Sequence, residues 1–139
     1  MVLSVSGCQW ISPGKSISES AEDTGYPVTV NSVELTAPPS RVVVFSPSLA
    51  EIAADMGYGS AFIGRTDECD MPDYVAALPS VGSLLMPDLD VLAAWKPDLI
   101  LTQSEPSESL KTKLTEQHIP WIVVSSAGNW EELKAVYQL

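Results

Sequence analysis

Residues Arg41 to Cys69, RVVVFSPSLAEIAADMGYGSAFIGRTDEC, decide the fold that we predict for this chain. The segment Arg41 to Phe45 is dominated by a continuous, β-branched apolar run, which is typical of a strand covered on both faces. The Ser-Pro-Ser segment that follows stops this strand. Ser48 and Glu51 then have the spacing of a capping box, which predicts that a helix begins there.

A second strand and a polar loop follow this helix. Gly57 is placed to end the helix, and the apolar run from Ala61 to Gly64 predicts the next buried strand. A polar segment, Arg65 to Asp70, comes directly after that strand. In an open parallel sheet, the loops at the carboxyl ends of the strands line the ligand crevice. We therefore expect the segments after both strands to lie at such a crevice.

The rest of the chain continues the alternation of strands and helices. Apolar and polar residues alternate on both sides of Asn31-Ser32, which predicts a small hairpin. Further buried strands are predicted at 97–102 and 120–124, and further helices at 88–96, at 106–117 and from 129 onward. Short loops between alternating strands and helices imply a parallel sheet. We predict an α/β fold in which residues 26–139 form a single three-layer α/β/α lobe. In this lobe a small β-hairpin precedes a mostly parallel four-stranded sheet.

Composition and charge exclude some classes of partner. The chain has 139 residues, of which 45% are hydrophobic, and its formal net charge is -11. An excess of carboxylates argues against binding to nucleic acid, because phosphates need a basic face. It also argues against binding of the domain to an anionic membrane surface.

The first 25 residues have the features of an anchor and a tether. Val5-Ser6-Gly7-Cys8 resembles the lipobox at which bacterial lipoprotein signal peptides are cut, with Cys8 as the lipidated residue. Residues 9–25 are rich in serine, glycine and acidic residues, as in a flexible tether. This interpretation places the protein outside the cytoplasm on a lipid anchor; the alternative is an ordinary flexible N-terminus.

The usual components of an active site or a metal site are missing from the sequence pattern. His118 is the only histidine, and it follows a helix, where a surface position or helix capping is its expected role. Cys69 therefore lacks a base that would activate it as a nucleophile. Asp67 to Asp70 are too closely spaced for a typical metal site, so a solvated loop or a ligand-facing loop are the alternatives. We predict a protein that is not an enzyme and has no metal site.

An ordered set of short motifs resembles the substrate-binding proteins of bacterial metal-chelate ABC importers, the helical-backbone class (class III). The motifs are RVVVFSPSLAE at 41–51, IGRTDECDMP at 63–72, LPSVG at 78–82, DLD at 88–90 and KPDLILTQ at 96–103. The run from Gly64 to Asp70, with Leu-Thr-Gln at 101–103, looks most like the cobalamin-binding branch.

This resemblance implies two α/β lobes that clamp a ligand, of which the chain corresponds to the N-terminal lobe. The expected partners are an ABC permease in the membrane, docked through Asp90, and a small metal chelate. The chelate would be cobalamin, a ferric siderophore or haem, with no intrinsic cofactor. Leu84 stands where some cobalamin binders place an aromatic side chain. The ligand-facing positions, taken from the strand-exit loops and from the resemblance, are Ser46, Ser48, Thr66, Asp67, Glu68, Cys69, Leu84, Gln103 and Ser104.

A function of a different class stays open at this point. The lobe would then be an interaction module that forms a homodimer through its crevice or its last helix. The apolar segment Leu84 to Met86 fits contact with a ligand or a partner, and it fits equally well packing under the edge of the sheet.

Overall fold

The computed structural model describes residues 25–125, 134 and 135. In chain order, its strands and helices are β1 (Val28–Val30), β2 (Val33–Leu35), β3 (Val42–Val44), α1 (Pro47–Asp55), β4 (Phe62–Arg65), α2 (Asp73–Ala76), β5 (Gly82–Ser83), β6 (Met86–Pro87), α3 (Leu89–Trp95), β7 (Leu99–Thr102), α4 (Glu108–Glu116) and β8 (Trp121–Val123). None of the helices among these residues is long and apolar enough to cross a membrane.

The central sheet has four parallel strands in the order β4-β3-β7-β8. β1 and β2 form a separate antiparallel hairpin whose two turn residues, Asn31 and Ser32, both have positive φ. Such a turn matches the right-handed twist of the strands on either side. The predicted parallel sheet and the hairpin before it are both confirmed.

The two central strands of the sheet, β3 and β7, are buried on both faces, which explains their continuous apolar runs. Val42 and Val44 belong to one core cluster, with α1 and the hairpin, while Val43 belongs to a second cluster with α3 and α4. All three valines have no exposed surface. The two clusters on opposite faces confirm the three-layer α/β/α arrangement.

The first helix begins two residues earlier than its sequence pattern predicts. Ser46 is the N-cap, and its Oγ accepts a hydrogen bond from the Leu49 backbone N–H at 3.4 Å. Pro47 is the first helical residue, where its missing N–H and its fixed φ fit the helix start. The predicted capping box of Ser48 and Glu51 is therefore wrong, because Ser48 already lies inside the helix. Gly57, at φ +89°, does follow the helix end as predicted.

Two close contacts fix the elements that lead into the crevice. Gly64 in β4 lies directly under the ring of Trp95, and any side chain at this glycine would overlap the indole. The segment 79–82 runs beside the end of β4, with the Val81 N–H donating to the Arg65 carbonyl at 2.8 Å. This segment leads into the β5–β6 pair, which places Leu84 and Leu85 at its turn.

Candidate functional site

The ends of the four parallel strands come together at one edge of the sheet, as predicted. The ladder continues past the strand ends, with Thr66 N–H donating to the Val44 carbonyl at 3.1 Å and Phe45 N–H donating to the Leu101 carbonyl at 2.8 Å. Val124 N–H donates to the Thr102 carbonyl in the same way. The segments after β4, β3, β7 and β8 are therefore neighbours at this edge, in that order.

Arg65 holds the loop after β4 in place. Its Nε donates to the Ala76 carbonyl at 3.1 Å, and its Nη1 donates to the carbonyls of Thr66 and Asp67 at 3.0 and 3.3 Å. No role of its own is predicted for Arg65 from the sequence. The cause is that its acceptors are backbone carbonyls, which carry no signature in the residue types.

Thr66 and Cys69 lie beneath this loop, and both side chains are fully buried. Thr66 Oγ1 lies 3.5 Å from Cys69 Sγ, and the thiol donates to the Val44 carbonyl at 3.6 Å. Desolvation by burial raises the pKa of the Cys69 thiol, although hydrogen bonds from Thr66 act in the other direction. In this conformation the two residues shape the loop and present no group to the crevice.

The next two carboxylates tie the same loop to the segment that crosses beside it. Asp67 and Glu68 are both exposed. Asp67 Oδ1 accepts a hydrogen bond from Ser80 Oγ at 2.5 Å, and Glu68 accepts the Leu84 backbone N–H with both carboxylate oxygens at 3.1 Å. These hydrogen bonds therefore join the loop after β4 to the β5–β6 turn.

Hydrogen bonding also changes the titration of Glu68. Partial burial alone would raise the pKa of this carboxyl. The backbone N–H groups of Glu68 itself and of Leu84, together with the Thr66 side chain, outweigh that effect and hold the pKa below its ordinary value. These hydrogen bonds therefore favour the ionised form of Glu68 in the folded protein.

A cleft runs along the sheet edge between the β5–β6 turn and the start of α4. Its volume is about 100 Å³. Its walls are Phe45, Leu84, Leu85, Thr102, Ser104, Glu105, Pro106, Ser107 and Leu110. The floor is apolar, and one side carries hydroxyl and carboxylate groups. Such a surface suits a ligand that has one apolar face and a polar rim.

The β5–β6 turn presents apolar side chains to solvent. Leu85 is 88% exposed and Met86 is 83% exposed, whereas Leu84 packs in part against the core cluster of α3 and α4. Packing under the sheet edge, one of the two alternatives for this segment, therefore holds for Leu84 alone. Leu85 and Met86 remain available for contact with a ligand or a partner.

The other predicted ligand positions differ in accessibility. Gln103 is half-buried and Ser104 is exposed, both directly after β7. Ser48 is exposed on the first turn of α1, while the Ser46 hydroxyl is buried and is used as the helix cap. The predicted set is thus divided into side chains at the surface and side chains that support the loops from below.

Asp90, the predicted docking residue, is exposed in the first turn of α3. Its backbone N–H donates to Oδ1 of Asp88, the N-cap of this helix, at 3.0 Å. α3 begins directly after β6 and precedes β7, so its first turn lies at the same edge of the sheet as the cleft. Asp90 therefore lies at the same edge of the sheet as the cleft.

Among residues 25–125, 134 and 135, no group of three or more histidine, cysteine or acidic side chains is arranged to hold a metal ion. His118 follows α4 with φ 56° and is exposed, in agreement with the predicted surface position. Cys8 and the start of the last predicted helix lie outside the described residues. Within the described residues, Cys69 is a free thiol.

No protein-family model matches the chain, and no curated protein matches it. Solved structures do. The periplasmic vitamin B12 binding protein BtuF of Vibrio cholerae is 19% identical, with a TM-score of 0.64 over 73% of this chain and 41% of its own. A periplasmic haem-binding protein from Pseudomonas aeruginosa is 23% identical, with a TM-score of 0.61 over 70% of this chain and 36% of its own.

The iron-uptake ABC-transporter substrate-binding protein PiuA from Streptococcus pneumoniae is 27% identical, with a TM-score of 0.59 over 79% of this chain and 41% of its own. The chain thus spans about two fifths of the length of these structures. The resemblance to importer binding proteins is confirmed at the level of the fold, and the match is to a part of each protein.

Proposed function

We propose that this chain is one lobe of the substrate-binding component of an ABC importer for a metal chelate, and that it is not an enzyme. The cleft carries the proposal, because it combines an apolar floor at Phe45 and Leu84 with polar strand ends at Ser104 and Glu105. The structures that share this fold are binding proteins for haem, vitamin B12 and iron uptake. Capture is non-covalent, through shape and hydrogen bonds.

The accessible members of the predicted set make the ligand contacts in this proposal, together with Leu85. Leu84 and Leu85 cover an apolar face of the chelate, and Ser104 bonds to its rim. Gln103, half-buried beside Ser104, adds an amide at the same rim. Asp67 and Glu68, in the loop after β4, shape the border of the site on the side away from β7. Ser48 lies on α1, which follows β3. Ser46, Thr66 and Cys69 act indirectly, since their side chains are buried and hold the loops from below.

A single lobe provides only one wall of the site. The cleft volume of about 100 Å³ is small beside the roughly 300–1,000 Å³ of typical small-molecule pockets. In this proposal the other wall is a second lobe. Affinity for the isolated lobe is therefore expected to be weak, in the micromolar to millimolar range.

Two further parts of the proposal concern where the lobe works. Asp90 docks the loaded lobe on the permease, since an exposed carboxylate beside the ligand face suits an arginine of a partner. Cys8, in its lipobox-like tetrapeptide, anchors the protein outside the cytoplasm.

Equilibrium dialysis of the full 139-residue chain tests the proposal, with cobalamin, cobinamide, haem and ferric siderophores as probes. Saturable binding of at least one probe is expected, and Leu85→Ser should weaken it at least about fivefold by removing apolar contact area. Ile52→Ser is the matched control, because Ile52 is exposed on α1 and does not line the cleft. Equal effects of the two changes, or no binding of any probe, would contradict the proposal.

The exposure of Leu85 and Met86 favours one second candidate, an interaction module that forms a homodimer through this face. Sedimentation velocity distinguishes the interaction module from the binding lobe. A dimer that dissociates in the variant carrying Leu85→Ser and Met86→Ser supports the module, whereas a monomer at all concentrations supports the binding lobe.

A further inference from the structure

We propose that the cleft selects uncharged or cationic chelates and rejects anionic ones. This inference rests on the proposed function, since it names the class of chelate that the same site takes. It follows from where the described residues place carboxylates and from what the nearby cations already bind.

Carboxylates border the cleft on two sides. On the β4 side, the exposed Glu68 holds the backbone of Leu84, which is itself a cleft wall. On the β7 side, Glu105 is part of the wall, and its side chain is 64% exposed. An anionic ligand in the cleft would meet like charge from both sides, whereas an uncharged ligand would not.

The cations nearest the cleft are occupied by groups of the protein. Arg65 donates to three backbone carbonyls, and this bonding orders its loop. Lys111 Nζ lies 3.0 Å from Glu105 and 3.1 Å from Glu108, so one cation stands between two carboxylates. Neither side chain is placed to receive an anionic group without giving up these partners.

The other cations of the described residues are not among the residues that line the cleft. Arg41 and Lys96 precede strands β3 and β7, at the amino edge of the sheet, opposite the cleft. Lys113 lines a second groove that adjoins the cleft at Leu85, Ser107 and Leu110, but this groove contains none of the residues that directly follow β3 or β7. Lys134 belongs to the helical residues that follow β8.

The net charge of the whole chain also disfavours anionic ligands. Its net charge of -11 produces a negative potential that lowers the local concentration of anions and slows their approach. The amide and hydroxyl groups of Gln103 and Ser104 suit the carboxamides or hydroxamates of an uncharged chelate. The cleft therefore discriminates by charge, in addition to shape.

Matched probes of different charge test this inference on the full chain. The first pair is dicyanocobinamide and dicyanocobyrinic acid, which share the corrin ring and differ in carrying amides or carboxylates. The second pair is an uncharged ferric trihydroxamate and an anionic ferric tricatecholate. Equilibrium dialysis at low ionic strength, followed by chelate absorbance, gives the affinity of each probe.

In the pair that binds, we expect the anionic member to bind at least about tenfold more weakly. Salt should narrow this difference, because it screens exposed charges. Equal or tighter binding of the anionic member would overturn the inference while leaving the proposed function intact. If neither pair binds, binding of haem, which carries two carboxylates, would overturn the inference alone. Failure of haem to bind as well would overturn the proposed function, and the inference with it.

Two variants with the same change in net charge test whether the discrimination against anionic probes comes from the cleft or from the charge of the whole chain. Glu105→Gln removes a cleft carboxylate, and Glu116→Gln removes an exposed one at the far end of α4. Glu105→Gln should tighten binding of the anionic probe about threefold, and Glu116→Gln should leave it unchanged. Equal effects of the two substitutions would overturn the role of the cleft carboxylate.

Discussion

The carboxylate of Glu68 accepts the backbone N–H of Leu84 with both oxygens, each at 3.1 Å, across sixteen positions of the chain. This bond connects the loop after β4 to the β5–β6 turn, whose apolar side chains border the cleft. The position of the proposed ligand wall therefore depends on one acidic residue that lies outside the wall itself.

Replacing Glu68 by alanine should release the β5–β6 turn. The Leu84 amide would lose its acceptor, and a hydrogen bond to a charged group is worth roughly 1.5–3 kcal/mol, less at an exposed site. We expect hydrogen exchange at Leu84 to accelerate at least about fivefold, measured by NMR. Glu51→Ala, which removes an exposed carboxylate from α1, is the control. An unchanged exchange rate at Leu84 would show that the turn is held by other contacts.

The same bond should depend on pH in a defined direction. The pKa of Glu68 is lowered in the folded protein from its ordinary value of 4.5, so the ionised form is favoured by folding. The stabilisation is complete above that ordinary value and is lost as the pH falls through the lowered pKa. An NMR titration of the Leu84 amide should therefore have its midpoint below 4.5. A midpoint at or above this value would contradict a hydrogen bond from the Leu84 amide to the ionised Glu68 carboxylate.

Cys69 should react slowly with thiol reagents in the native protein. Its side chain is fully buried, and burial raises its thiol pKa, so both access and the thiolate fraction are low. In a Cys8→Ser background, where Cys69 is the only thiol, we expect labelling at neutral pH to become at least about a hundredfold faster in urea. Rapid labelling under native conditions would mean that the loop after β4 opens readily.

The start of α1 can be tested by a pair of serine substitutions. Ser46→Ala removes the N-cap oxygen and should lower the free energy of unfolding by about 1 kcal/mol. Ser48→Ala changes an exposed residue inside the helix and should stay within about 0.5 kcal/mol. Urea unfolding followed by circular dichroism measures both. A larger loss of unfolding free energy for Ser48→Ala than for Ser46→Ala would contradict this assignment. It would support Ser48 as the N-cap, as the sequence pattern suggests.

The order of the four sheet strands and of the helices between them was predictable because it depends on local patterns, whereas the short β5–β6 pair was not predicted. Buried strands such as Val42 to Val44 give continuous apolar runs, and the Asn31-Ser32 turn separates two alternating segments. The start of α1 was misplaced because two serines flank Pro47, and both are good capping residues. Only the geometry of the chain distinguishes them.

The site was predictable to a smaller extent. The strand ends were correctly placed at one edge, since that follows from a parallel sheet. Whether a polar residue there faces outward or inward was not predictable, and Thr66 and Cys69 turned out to be buried. The bonds of Arg65 and Glu68 join side chains to distant backbone groups, and such acceptors and donors are the same for every residue type.

The bond that fixes the β5–β6 turn is made by the backbone of Leu84, and its side chain takes no part in it. Any residue except proline at this position supplies the same N–H. The Leu85 side chain is almost fully exposed, so it can be exchanged without disturbing this bond or the core packing of Leu84. The surface that the turn presents to the cleft can therefore be varied at residue 85 while the rest of the lobe stays the same.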